Sequence, residues 1–238
     1  VLNEIKKHKP DLIVNCASEQ ILNIDETSIK KIINANILAQ SVIIRKAIQN
    51  KNFKGYITFG SKWEFDYLGR VNPLNFYSAS KASMDVILNF FSKEFDLPIV
   101  SLKLFDTFGV NDKRNKVLNY IKKKYIKNQL INLTPGNQYL DLVNVNDVCN
   151  LIFIVSNEIL KKKIKGFKIF TANPKKPIKL KNLIKKLNKI LDTKLKVKFG
   201  KRSYRKNEQF FYIKKNCNHP KWKIKNKIEK DLKQFFNI

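Results

Sequence analysis

GYITFGSKWEFDYLGRVNPLNFYSASKASMDVILNFFSKEFDLPIVSLKL, residues 55–104, is the stretch whose reading decides the fold. It opens on Gly55-Tyr56-Ile57-Thr58-Phe59-Gly60, a short apolar run that reads as a buried strand. A polar loop leads into a helical pattern from about Tyr77 to Phe95, with Ala82, Val86, Ile87, Phe90 and Phe91 expected on its buried face. Pro98 to Leu104 reads as the next strand. Working outward, Asp11-Leu12-Ile13-Val14-Asn15-Cys16 follows Lys9-Pro10 as another buried strand fed by a preceding helix, so the chain opens in mid-fold. Ser28 to Gln49 places Ile32, Ile33, Ala35, Ile37, Val42, Ile43 and Ala47 at helical spacing. Strands alternating with helices predict a doubly wound α/β architecture, a parallel sheet covered on both faces.

From about Val110 the rhythm changes to a lysine-rich helix, a turn at Thr134-Pro135-Gly136-Asn137, then a strand and a helix starting near Asn146-Asp147. Short strands at Phe167 to Phe170 and Leu195 to Phe199 alternate with helices near Leu180 to Leu191 and Lys225 to Phe236. There is no repeat and no long linker. The expected division is residues 1–109, carrying the sheet, and residues 110–238, mostly a smaller lobe with some segments returning to the sheet.

Composition narrows the function classes. At 238 residues and 43% hydrophobic, the chain can bury an ordinary core. Cys16, Cys149 and Cys217 form no CxxC pair and only two histidines accompany them, so neither a disulfide framework nor a metal site is expected. No apolar run reaches the roughly 18 residues of a membrane span, and a soluble, cytoplasmic protein is expected. The net charge of +29 admits two readings. A clustered basic patch would bind nucleic acid. Lysines dispersed over solvent faces would instead reflect compositional bias, and they do recur in every segment, from Lys6-Lys7 through Lys122-Lys123-Lys124 to Lys223. The dispersed reading is preferred, and nucleic acid is not the expected partner. Either way the field favours anionic ligands such as diphosphates.

Chemistry enters at Tyr77 and Lys81. Four residues apart on a helix, they lie one above the other, and a neighbouring ammonium favours the phenolate, making a proton donor and acceptor usable near neutrality. Ser61, just after a strand, supplies a hydroxyl to hold a substrate carbonyl. In a lysine-rich chain YxxxK also arises by chance on a surface helix; its place at a helix start after Gly60-Ser61 is where α/β active sites gather.

Several stretches resemble, in the expected order, the extended short-chain dehydrogenase/reductases, or NAD-dependent epimerase/dehydratases. They are KPDLIVNCAS at 9–18, Asn36 in INANILAQ, TFGSKW at 58–63, NPLNFYSASK ending at Lys81, LKLFDTFG at 102–109, GNQYLDLVNVNDV at 136–148 and GKRSYRKNE at 200–208. The detail is most similar to the branch acting on CDP- or dTDP-linked keto-deoxysugars, as in abequose or paratose synthesis. The resemblance implies a Rossmann-like sheet with its first strands missing and a smaller C-terminal substrate-binding lobe. It also implies NAD or NADP as cofactor, a nucleotide-sugar substrate, and a homodimer formed through the helices of Asn36 and Tyr77. It casts Tyr77 as general acid/base, Lys81 as its modulator and ribose anchor, Ser61 as the orienting hydroxyl and Asn36 as a weaker catalytic member. Asn15, Cys16, Ala17 and Phe105, with Tyr77 and Lys81, are expected at the cofactor. Lys62, Asp106 and Arg205 are expected at the substrate, Arg205 as a planar fork on the diphosphate unless it is simply a solvated cation.

Departures from the family pattern limit these expectations. Seven glycines provide no GxxGxxG turn to cradle a pyrophosphate, so an N-terminally truncated chain that binds no dinucleotide as it stands is expected. Asp106 stands where relatives carry asparagine, and an anion there would repel phosphate unless turned away. Ala39-Gln40 replaces a commoner Gly-Thr pair. Lys62 and Trp63 follow Ser61 where dehydratases place an acidic pair, which argues for reduction or epimerisation, reduction being preferred. The contrasting reading is a catalytically inactive basic protein that binds nucleic acid or a protein partner on the same scaffold.

Overall fold

The structure, a computed structural model, describes residues 1–214, 217–225 and 227–237. In chain order the elements are α1 (Leu2–His8), β1 (Leu12–Asn15), α2 (Glu26–Ile33), a π-turn (Asn34–Leu38), α3 (Ala39–Ala47), β2 (Gly55–Ser61), a 3-10 turn (Lys62–Glu64), α4 (Phe76–Glu94) and β3 (Ile99–Leu104). They continue with β4 (Asp106–Phe108), α5 (Val117–Ile126), β5 (Ile131–Asn132), β6 (Tyr139–Leu140), β7 (Leu142–Asn144), α6 (Val145–Leu160), β8 (Phe167–Thr171), β9 (Ile178–Lys179), α7 (Leu180–Ile190), β10 (Val197–Lys198) and α8 (Ile228–Phe236). The last helix begins three residues later than its periodicity predicts, and Asn226 of the expected helix lies outside the described residues.

The chain divides into two compact units. One comprises residues 1–104, 150–172 and 213–222; the other comprises residues 105–149, 173–212 and 223–238. In the first, four strands lie in the order β1-β2-β3-β8, every pair parallel, which is the doubly wound α/β sheet expected from the strand–helix alternation. The register sets Asn15 beside Thr58 and Ser61 beside Leu104, so the carboxyl ends of β1, β2 and β3 share one edge. Parallel strands buried on both faces explain the near-continuous apolar runs. Tyr56 and Ile99 pack with Ile44, Met84, Leu88 and Leu97 beneath α3 and α4.

The buried face of α4 is only partly the one expected: Ile87 and Phe91 pack against this core. Val86 and Phe90 are exposed, at 72% and 59%, and the inward positions are Tyr77, Ser78, Ser80, Lys81, Met84, Leu88 and Ser92. The apolar spacing was real, but half of the sheet-facing stripe is polar and a second apolar stripe points outward. Around the π-turn most of the expected positions do face inward, Ile32 and Ala47 being buried and Ile37 and Ile43 packed on the core, but Ile33 and Val42 are exposed and the polar Asn36 and Gln40 are buried. The second unit has its own core, built on Phe108, Ile121, Leu183, Leu187, Leu232 and Phe235. Among the described residues no helix is long and apolar enough to cross a membrane.

Candidate active site

The start of α4 is fixed by a reciprocal cap. Asn75 accepts from the Ser78 N–H at 2.9 Å, and the Ser78 hydroxyl accepts from the Asn75 N–H at 3.1 Å. This satisfies two of the backbone groups that a helix N-terminus leaves open, and sets Tyr77 in the first turn with Lys81 one turn on. Both side chains are buried, and the Lys81 ammonium stands 6.0 Å from the centroid of the Tyr77 ring. Lys81 forms no ion pair among the described residues. Burial, the largest influence, pulls its pKa down to about 8; the Glu64 carboxylate opposes this shift, Lys103 adds to it, and Asp85 opposes it.

Ser61 ends β2. Its Oγ accepts from the Trp63 N–H at 3.2 Å, which leaves the hydroxyl proton available for an acceptor. Its own N–H donates to Glu64 Oε1 at 2.6 Å, closing a capping box on the 3-10 turn. Lys62 is buried in that turn.

Asn36 occupies the centre of a polar relay. Its Oδ1 accepts from the Ser18 hydroxyl and the Glu19 N–H, at 3.0 and 2.9 Å. Its Nδ2 donates to the Glu19 carbonyl at 2.9 Å and to Ser80 Oγ at 3.0 Å, and Ser80 Oγ donates to the Tyr77 carbonyl at 2.7 Å. On the other side, Gln40 Nε2 donates to the Asn36 carbonyl within the π-turn, and Gln40 Oε1 accepts from Thr58 Oγ1, both at 2.7 Å. Single wide turns of this kind recur at functional sites. The relay ties sheet, π-turn and the first turn of α4 together. Asn36→Ala, which strands several of these buried partners, is therefore expected to lower stability by about 1–3 kcal/mol, read in urea denaturation.

The other expected site residues divide between the units. Asn15 is buried at the end of β1; its Oδ1 accepts from the Ala17 N–H at 3.1 Å, and its side chain also lies against the Tyr56 phenol. Cys16 and Ala17 are exposed. Phe105, Asp106 and Arg205 belong to the second unit, where Phe105 is buried and Arg205 exposed. Asp106 turns its carboxylate onto the Asp141 N–H at 2.7 Å, which answers how an anion is accommodated at that position. All three cysteines are free, and among the described residues no cluster of histidine, cysteine and carboxylate could hold a metal.

Sequence reasoning passed over Gln40 as more than a departure, and missed Glu64, Asp85 and Lys103 entirely. Lys103 Nζ lies 2.5 Å from a carboxylate oxygen of Glu64 and 2.5 Å from one of Asp85, with the lysine and glutamate side chains 0% and 1% exposed. The signal was a lysine inside the apolar run IVSLKL, hidden by the abundance of lysine elsewhere. Gly60 stands beside Lys103 in the ladder, and a Cβ there would intrude on the Glu64 carboxylate and the Lys103 side chain; the glycine makes room for the ion pairs.

A buried ammonium without an ion pair among the described residues, one turn beyond a tyrosine, and the Asn15 amide at the neighbouring strand end suit the ribose–nicotinamide end of a nicotinamide cofactor. For the pyrophosphate the chain's glycines, at 55, 60, 69, 109, 136, 166 and 200, form no glycine-rich turn.

The model of the NAD dependent epimerase/dehydratase family matches residues 1–166. A CDP-abequose synthase of Yersinia pseudotuberculosis is 28% identical over 229 residues, covering 94% of this chain and 78% of that protein. Among solved structures, MoeE5 in complex with UDP-glucose and NAD superposes with a TM-score of 0.84 at 11% identity, covering 99% of this chain and 80% of that one. UDP-glucuronic acid 4-epimerase from Bacillus cereus, in complex with UDP-glucuronic acid and NAD, gives a TM-score of 0.82 at 16% identity, covering 99% and 76%.

Proposed function

Because the chain belongs to the NAD-dependent epimerase/dehydratase family, we propose that it is an NAD(P)-dependent oxidoreductase acting at C4 of a nucleotide-linked deoxysugar, by reduction in preference to epimerisation. The observation that carries the reading is the buried Tyr77–Lys81 pair at the carboxyl edge of a parallel sheet, with Ser61 at the end of the adjoining strand. The substrate class is supported by the CDP-abequose synthase relative and by the UDP-sugar complexes among the similar folds.

Bound NAD(P)H would supply the hydride that reduces the C4 carbonyl to a carbinol. Ser61 donates a hydrogen bond to the carbonyl oxygen and orients it. Tyr77 gives its phenolic proton to that oxygen as negative charge develops there, which general acid catalysis requires. Lys81, as the ammonium, stabilises the phenolate left behind and holds the cofactor ribose. Asn36, through Ser80 and the Tyr77 carbonyl, keeps the first turn of α4 in place. Arg205, exposed, is assigned to the substrate diphosphate as a bidentate donor. Lys62 and Trp63 after Ser61 provide no acidic pair for dehydration.

The reading is tested by supplying the natural gene product with NADH or NADPH and a 4-keto-6-deoxy nucleotide sugar. Stoichiometric loss of nicotinamide absorbance is expected. Interconversion of C4 epimers when a 4-hydroxy nucleotide sugar and NAD are supplied instead would assign epimerisation, and the absence of both reactions would contradict the proposal.

The outward apolar stripe supports a homodimer through the same helices. Val86 and Phe90 on α4, with Leu38 in the π-turn and Val42 on α3, expose apolar surface of the kind that marks interfaces. Phe90→Glu combined with Val86→Lys is expected to convert a dimer to a monomer in light scattering coupled to gel filtration. A monomeric wild-type protein would contradict this.

A further inference from the structure

Behind the Tyr77–Lys81 pair lies a second set of buried charges that the proposed mechanism does not use. Lys103 projects from β3 between Glu64 of the 3-10 turn and Asp85 of α4. Asp85 lies one helical turn beyond Lys81 and so shares its face of α4. Glu64, besides pairing with Lys103, accepts the Ser61 N–H at 2.6 Å, so one carboxylate touches both the ion triad and the backbone of the orienting serine. Three elements that carry the site (the end of β2, α4 and β3) therefore meet at these groups.

A purely structural account fits poorly. Taking ions out of water costs several kcal/mol each, and apolar side chains of similar volume fill such a space at no loss of stability. The charge count gives a different account. Lys81, Lys103 and Lys62 are buried cations of one region, and the carboxylates of Glu64 and Asp85, drawn onto Lys103, lie among them. We propose that the Glu64–Lys103–Asp85 triad is a counter-charge device for the active site, in which the two carboxylates keep Lys81 protonated beside Tyr77. The inference rests on placing Lys81 in the proton-transfer site.

The electrostatics run in that direction. Burial favours a neutral Lys81 and the nearby Lys103 ammonium adds to this, while Glu64 and then Asp85 oppose it. Burial likewise raises the pKa of Glu64, and Lys103 works against that rise. Around Lys81, α4 contributes Tyr77 and Asp85, the 3-10 turn contributes Lys62 and Glu64, and β3 contributes Lys103. The charged residues on other elements packed against α4 (Glu26, Lys30 and Lys31 of α2, Arg45 and Lys46 of α3, Lys168 of β8) lie exposed or at the margin of the solvent.

The test is a titration of Lys81 in the full chain, labelled with 13C at lysine Cε and followed by NMR, with the Lys81 signal identified by its loss in Lys81→Met. The wild-type midpoint is expected at about 8. Glu64→Gln removes an anion and is expected to lower the midpoint by roughly one pH unit, a tenfold loss of proton affinity. Asp85→Asn, which leaves the Glu64–Lys103 pair in place, is expected to lower it by less and decides the matter should Glu64→Gln not fold. A midpoint that stays at the wild-type value in the variants that fold would overturn the proposal. Full activity in Tyr77→Phe would instead remove the site reading and leave this charge coupling standing.

Discussion

Replacing Tyr77 by phenylalanine is expected to lower the rate of C4 reduction on the order of 10²–10⁴-fold, the range a positioned general acid contributes. The phenyl ring keeps the packing of the first turn of α4, whose cap at Asn75 and Ser78 does not involve the phenol. The loss should therefore fall on kcat, with little change in thermal stability or in the KM for the sugar nucleotide. A KM effect with kcat preserved would assign Tyr77 to binding alone. The pH profile has a defined sign as well. Lys81 is protonated below about 8 and neutral above it, so support for the phenolate is lost as pH rises through that value, and the rate should fall along an alkaline limb there.

Lys103→Met is expected to produce the largest loss of stability, about 3–5 kcal/mol in urea denaturation, because it leaves buried carboxylates without their cation. Methionine fills nearly the same volume, so the effect is electrostatic and not a cavity. Its pH dependence is diagnostic. Burial already raises the pKa of Glu64, and removing Lys103 raises it further. A carboxyl whose folded pKa exceeds its unfolded value is penalised above the folded pKa and relieved as pH falls through it. The deficit against wild type should therefore be largest at mildly alkaline pH and shrink on acidification. A deficit independent of pH would mean that packing around the substituted side chain, not charge, is at fault.

How far the sequence carries this picture depends on which side of a residue is asked about. Apolar runs placed the strands of the parallel sheet almost to the residue, Asp11 to Cys16 against Leu12–Asn15 and Pro98 to Leu104 against Ile99–Leu104, but not the short strands of the second unit, where Leu195 to Phe199 shrinks to Val197–Lys198. Periodicity found α4 as well, Tyr77 to Phe95 against Phe76–Glu94. It could not say which of two apolar stripes faces the sheet, because the inward stripe gives its first two turns to Tyr77, Ser78, Ser80 and Lys81, and the outward Val86 and Phe90 then read as core. The π-turn at Asn34–Leu38 widens the helix locally, so a fixed period of 3.6 residues does not carry the buried face through to Val42, which is exposed. Of the proposed site, Tyr77 and Lys81 were legible in their spacing and Ser61 in its place after a strand, while Asn36 came only from the family resemblance. Glu64, Asp85 and Lys103 were not legible, since an ion triad drawn from a turn, a helix and a strand leaves no spacing to read. Only the coordinates bring them within hydrogen-bond distance.

The central claim, that Tyr77 serves proton transfer during hydride transfer to a sugar C4, is tested most directly by isotope. A 4-keto-6-deoxy nucleotide sugar is incubated with the natural gene product and NADH or NADPH deuterated at the transferable position, and the product is examined by NMR. The account predicts deuterium at C4 of the sugar, formed at a rate that collapses in Tyr77→Phe. A product without deuterium at C4, or labelling at the same rate in both proteins, would contradict it.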